Sequence, residues 1–168
     1  MKNWNTQSTV ETIGLLAVVF SLIFVGLELR QNSIATTAQT NSDVSGSFVE
    51  INLAMATSEE LARAMTSYAD DPALASTADK VQILGLWRAL FHTWSNAHRQ
   101  HLNGTLDPAI YASIIQEIST YAAPGADAKN IEDLSRRQRV MRWAWETERF
   151  IFNPDFQVFV DGILGLER

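Results

Sequence analysis

Between Glu11 and Glu28 the chain runs from Thr12 to Leu27 without a charge, and from Ile13 it reads IGLLAVVFSLIFVGL. No other stretch limits the fold so strongly. A helix of that length spans about 24 Å, short of the roughly 30 Å hydrocarbon core of a bilayer. Val10 and Leu29 prolong the apolar stretch, and the flanking carboxylates can reach outward. A core helix of a soluble protein usually keeps a polar stripe, whereas here only Ser21 and the glycines interrupt an apolar surface that continues all the way round. The run therefore predicts a transmembrane helix over 10–29, preceded by a flank over 1–9.

Two other readings use the same residues. One is a helix buried inside a soluble assembly. The other is a secretory signal peptide, for which Ser33-Ile34-Ala35 supplies small residues at a cleavage site. Against it, Glu28 and Arg30 place charges where a cleavage region is normally neutral. Lys2 and the amino terminus precede the run and Arg30 is the nearest cation after it, so the positive-inside rule favours, by one charge, a cytoplasmic amino end. The expected location is a bacterial inner membrane, single-pass, with the carboxyl-terminal domain in the periplasm. Trp4 is placed to lie at the headgroup level.

About 138 residues follow Arg30, enough for one hydrophobic core, and no Gly/Ser-rich or Pro-rich stretch divides them. They carry eleven Lys and Arg against seventeen Asp and Glu, a net charge of −6, which disfavours a nucleic-acid partner. The chain has no cysteine, which removes disulfides, thiolate metal sites and Cys nucleophiles together.

Periodicity predicts helices almost throughout, so the class is all-α: the transmembrane helix continues into a stalk, followed by a small bundle of about five further helices. Ile34, Ala38, Asn41, Val44, Phe48, Ile51 and Met55 recur every three or four residues and define an amphipathic stalk over 30–56 that packs on a bundle over 57–168. Thr57 with Glu60 reads as a capping box opening a short helix through Leu61, Met65 and Tyr68, stopped at Asp70-Asp71-Pro72. The central helix runs from about Ala78 to Leu102, with Ile83, Leu84, Trp87, Leu90, Phe91, Trp94 and His98 on one broad face and Gly104 as its end cap. Asp107-Pro108 opens a helix carrying Ile110, Tyr111, Ile114, Ile115 and Ile118 inward, stopped by Ala123-Pro124-Gly125. Asn130 caps a helix with Leu134, Met141 and Trp145, and Asn153-Pro154 opens a last one with Phe156, Phe159, Val160, Ile163 and Leu164 inward.

Four short motifs resemble a group of uncharacterised bacterial proteins with one amino-terminal membrane helix and a helical carboxyl-terminal domain. They are Glu28-Leu29-Arg30-Gln31-Asn32-Ser33, Glu50-Ile51-Asn52 with Glu59-Glu60-Leu61-Ala62-Arg63, Asn103-Gly104-Thr105-Leu106-Asp107, and Phe152-Asn153-Pro154-Asp155-Phe156 through Phe159-Val160-Asp161. The resemblance implies the anchored helical architecture and brings no activity and no catalytic residue.

Three features offer candidate sites. Gly14, Ala17, Ser21 and Glu28 fall on one stripe of the span, where small residues let a second helix approach closely, unless they reflect only the usual composition of membrane helices. His98 and His101, three apart and near Trp94, form half of a metal or haem site that Glu50, Glu117, Glu146 or Glu148 would have to complete. The plainer reading makes His98 a hydrogen-bonded core residue and His101 a charge at the helix end. Arg136, Arg139 and Trp143 suggest a surface for an acidic partner or headgroup, yet Glu132 to Arg136, Asp133 to Arg137 and Arg142 to Glu146 are acid-before-base pairs that fit a solvated, self-paired face. Trp143 and Trp145, two apart, cannot both face the core, so one packs against another element or a partner.

No nucleophile elbow, phosphate loop or His-Glu-x-x-His motif occurs. The expected function is that of a membrane-anchored protein acting by contact, as an accessory or scaffolding subunit or a homo-oligomer, with lipid and a membrane protein or a second copy as partners and no cofactor. The rival is a helical-bundle enzyme or sensor binding a metal, haem or small apolar ligand in the core.

Overall fold

The computed structural model describes residues 6–122 and 136–166. It is all-α, with no strand among the described residues: α1 (Thr6–Thr57), α2 (Glu59–Asp70), α3 (Thr77–Leu102), α4 (Pro108–Ala122), α5 (Arg136–Glu148), a 3₁₀ turn (Arg149–Ile151) and α6 (Pro154–Leu164). Residues divide into two compact units, Met1–Gln39 and Thr40–Arg168.

In the first unit α1 carries the apolar run. None of its most apolar window is buried, and it is the one helix among the described residues long and apolar enough to cross a membrane. Val10, Ile13, Leu16, Phe20, Leu22 and Phe24 are all at least half exposed, although they point in every direction around the helix.

The second unit is a helical domain. From Asn41 onward the carboxyl-terminal part of α1 contributes Val44 to its core, with Phe48, Ile51 and Met55 packed against it. Ile34 and Ala38 of the same periodic stripe belong to the first unit and are exposed. Asn41 ties this part of α1 to the start of α4, its side-chain oxygen accepting the Asp107 backbone N–H at 3.0 Å.

Helix α2 begins one residue later than the predicted Thr57 cap. The Thr57 hydroxyl donates back to the Leu53 carbonyl and stays in α1, while Ser58 leaves helical geometry and accepts the Leu61 N–H. A hydroxyl next to an existing helix end is consumed by its own i−4 carbonyl, leaving the next one free to cap. Asp71 ends α2 as expected.

Helix α3 opens with a capping box that the periodicity did not reveal: Ser76 accepts from Asp79 N–H and Asp79 accepts from Ser76. Arg63 of α2 lies 3.1 Å from the same carboxylate. The Ser76 hydrogen bonds, aided by Arg63, hold the Asp79 carboxyl below its ordinary value. At its other end α3 closes in a Schellman turn, with Gly104 at φ +70 and the Thr105 N–H reaching back to the Gln100 carbonyl. The same motif ends α6 at Gly165, where the Leu166 N–H bonds to the Asp161 carbonyl.

The predicted starts of α4 and α6 are observed. Asp107 caps Ala109 N–H, and Asn153 accepts the Phe156 N–H ahead of Pro154 at the first helical position. The predicted stop at Ala123-Pro124-Gly125, the Asn130 cap and Leu134 lie outside the described residues.

The core is aromatic and centres on Phe91, which is fully buried. Its ring meets Trp145 at 5.1 Å, Trp87 and Trp94 at 5.7 Å and Phe152 at 6.0 Å, mostly edge to face. Such pairs add about 1 kcal/mol each beyond the area they bury; Phe91 joins α3 to α5 and to Phe152 ahead of α6, and Trp145 and His98 carry the ring contacts on to Phe156 and Phe159. Trp145 completes its own requirement by donating its indole N–H to Asp161, which also pairs with Arg149. Glu148, although buried, is held by a two-pronged bond from Arg88 at 2.7 and 2.8 Å.

Candidate functional site

The richest polar cluster lies at the carboxyl end of α3. The Schellman turn at Gly104 reverses the chain and brings α4 back along α3, which sets Tyr111 beside His98 and His101. The Tyr111 hydroxyl lies 2.6 Å from His98 Nδ1. The His101 ring lies flat on the Tyr111 ring, 3.8 Å away and tilted by only 9°. On its other side His98 stacks on Phe159 of α6 at 4.4 Å. Burial, reinforced by neighbouring His101, holds His98 below its usual value, and Asp155 pulls the other way. Burial also pushes the Tyr111 phenol up, which keeps its proton in place for the hydrogen bond.

His98 is thus hydrogen-bonded, as the plainer reading expects, but it is half-buried at the edge of the core and not inside it. The carboxylates offered for a metal site do not gather around it: Glu50 is exposed, Glu146 bonds Arg142 at 3.2 Å and Glu148 bonds Arg88. Among the described residues no group of three or more His, Asp or Glu side chains is disposed to hold a metal ion. Trp94 is fully buried among Phe91 and Trp87, so its ring is a packing element; its indole N–H and that of Trp87 find no acceptor among the described residues.

Glu117 on α4 is half-buried, and burial alone pushes its carboxyl upward. One turn further on, Tyr121 borders an apolar recess of about 110 Å³ formed with Met55, Met65, Leu86, Trp87 and Leu90.

The α5 surface is partly committed to the domain itself. Arg139 donates to the Ala69 carbonyl of α2 at 2.9 Å, satisfying one of the unbonded acceptors at that helix end. Trp143 lies on Tyr68 of α2 with ring centroids 4.4 Å apart, and burial pushes that phenol up to about 12. Of the two tryptophans, Trp145 faces the core and Trp143 packs against another element. The Arg142–Glu146 pair forms as predicted, while Glu132, Asp133 and the side chains of Arg136 and Arg137 lie outside the described part.

On α1 the stripe of Gly14, Ala17, Ser21 and Glu28 is exposed, and a Cβ added at Gly14 would meet nothing within 4 Å. The partnerships at Tyr111, Asn41 and Asp155 were not evident beforehand, because each joins residues whose proximity depends on a turn or on a second helix.

No family model, curated protein or solved structure matches this chain. Each of the four short motifs nevertheless has a visible structural role or place. Asn103–Asp107 forms the Schellman turn and the α4 cap, Phe152–Phe156 supplies two core rings and the α6 cap, Glu59–Arg63 forms the first turn of α2, and Glu28–Ser33 continues α1.

Proposed function

We propose that this chain is a single-pass membrane protein, spanning a bacterial inner membrane with residues 10–29 and exposing its helical domain on the periplasmic side, and that the domain works by contact with another membrane protein or a second copy. The observation that carries the reading is the absence of any burial along the most apolar window of α1. Eleven Leu, Ile, Val and Phe side chains lie between Thr12 and Leu27. At about −0.3 to −0.6 kcal/mol each near the bilayer centre, they favour insertion by about −3 to −7 kcal/mol, and no charge within the run opposes them.

The open stripe of Gly14, Ala17 and Ser21 supports helix association within the bilayer, since small residues allow close backbone approach. Among the described residues the domain combines an aromatic core with ion pairs that join its own helices, Arg63–Asp79 and Arg88–Glu148, which suits a preformed contact module. Crosslinking in native membranes is expected to yield a discrete adduct with a partner or a dimer, reduced when Gly14 and Ser21 are changed to Leu. A chain that stays uncrosslinked and monomeric in both lipid and mild detergent would contradict the contact role. Release by alkaline carbonate would contradict the span.

A further inference from the structure

Three helices meet at His98. Its Nδ1 lies 2.6 Å from the Tyr111 hydroxyl of α4, its ring stacks on Phe159 of α6, and Phe156 stands 6.0 Å away. His101, one turn on, covers the opposite partner by stacking on Tyr111. The titratable groups acting on His98 are His101 on its own helix, Tyr111 on α4 and Asp155 in the first turn of α6.

We propose that His98 is a pH-sensitive latch: as a neutral ring it holds α4 and α6 against the carboxyl end of α3, and its protonation in mildly acidic medium loosens that junction while the Phe91-centred core stays closed. The neutral tautomer with its proton on Nε2 lets Nδ1 accept from the Tyr111 O–H. Protonation makes both ring nitrogens donors, so the Tyr111 hydroxyl must turn and lose that acceptor. The new charge also sits half-buried beside two phenylalanines and a second imidazole. Asp155 offsets part of this cost.

The sign follows from the direction of the shift. The folded state binds the His98 proton less tightly than the unfolded chain does. The latch is therefore closed above the ordinary value near 6.5 and opens as pH falls through the lower folded value.

The test uses the full chain in lipid nanodiscs, comparing imidazole NMR titration and amide hydrogen exchange at about pH 7.5 and about pH 5, corrected for intrinsic exchange. His98 is expected to titrate below a free histidine. Protection in α4 and α6 is expected to fall about tenfold per unit of that depression, with α2 unchanged. In His98→Gln, which keeps a hydrogen-bonding side chain but cannot titrate, the loss of protection on acidification is expected to disappear. Titration of His98 at or above the free value, a fall in α4 and α6 no larger than in α2, or an equal loss of protection on acidification in His98→Gln each overturns the proposal. Should the variant fail to fold, the titration and exchange of the unmodified chain decide alone.

Discussion

Helices α1 and α3 are both rich in apolar residues and both exceed twenty residues in length, yet they treat those residues differently. Over 10–29, α1 is apolar on every side and buried on none. Along α3, Ile83, Leu86, Trp87, Leu90, Phe91 and Trp94 gather on one face and are buried, while Val81, Arg88 and Leu102 on the other sides are exposed. Apolar content alone does not decide where a helix belongs. Its angular distribution does, because a one-sided helix is satisfied by a few neighbouring helices, whereas an all-round one is satisfied only inside a larger core or in a membrane.

The sharpest way to break that comparison is to damage each helix in its own terms. Phe91→Ala removes the ring on which Trp87, Trp94, Trp145 and Phe152 converge. It is expected to destabilise the domain by about 3–5 kcal/mol in chemical denaturation while membrane retention is unchanged. Phe20→Arg is expected to do the converse: a charge at mid-span raises the insertion free energy by about 3 kcal/mol, lowering the integral fraction in carbonate extraction with the domain's thermal midpoint intact.

Smaller effects refine the account of α3 and its partners. Asp161→Ala strips the acceptor from the Trp145 indole and the partner from Arg149, and a loss of about 1–3 kcal/mol is expected by denaturation. Asn153→Ala, which deletes the α6 cap, is expected to cost about 1 kcal/mol and to raise amide exchange first in Phe156 and Gln157. The smallest change is predicted for Glu117→Gln. Burial raises the Glu117 carboxyl, so its contribution to stability is fully present below the ordinary value near 4.5 and is lost as pH rises through the folded value. The Gln variant is therefore expected to equal the parent in acid and to have a slightly higher thermal midpoint at neutral pH.

Much of the fold was legible because helix ends announce themselves locally. Asp107-Pro108, Asn153-Pro154 and the glycine after Asn103 each act within three residues, and each was read correctly. The cap at α2 was misplaced by one residue because Thr57 and Ser58 offer the same chemistry, and only the hold of Leu53 on Thr57 separates them. The Ser76–Asp79 box is hard to see in the sequence because Asp stands at the third helical position where the usual box has Glu or Gln. The site was less legible than the fold. That His98 packs at the edge of the core is legible from its place on the packed face of α3, but its pairing with Tyr111 depends on the reversal at Gly104. Arg139 reads from spacing as part of a solvated stripe, whereas its guanidinium bonds a carbonyl seventy residues away in α2, a distance over which periodicity carries no information.

The chain's lack of cysteine permits a direct test of the lipid environment proposed for α1. A single cysteine at position 20, replacing Phe20 and carrying a bimane fluorophore, can be reconstituted in bilayers and quenched either by mid-chain doxyl lipid or by aqueous iodide. Strong quenching by the doxyl acyl chains with little effect of iodide is the result predicted for a side chain near the middle of the span. Ready quenching by iodide with no response to doxyl lipid would contradict it.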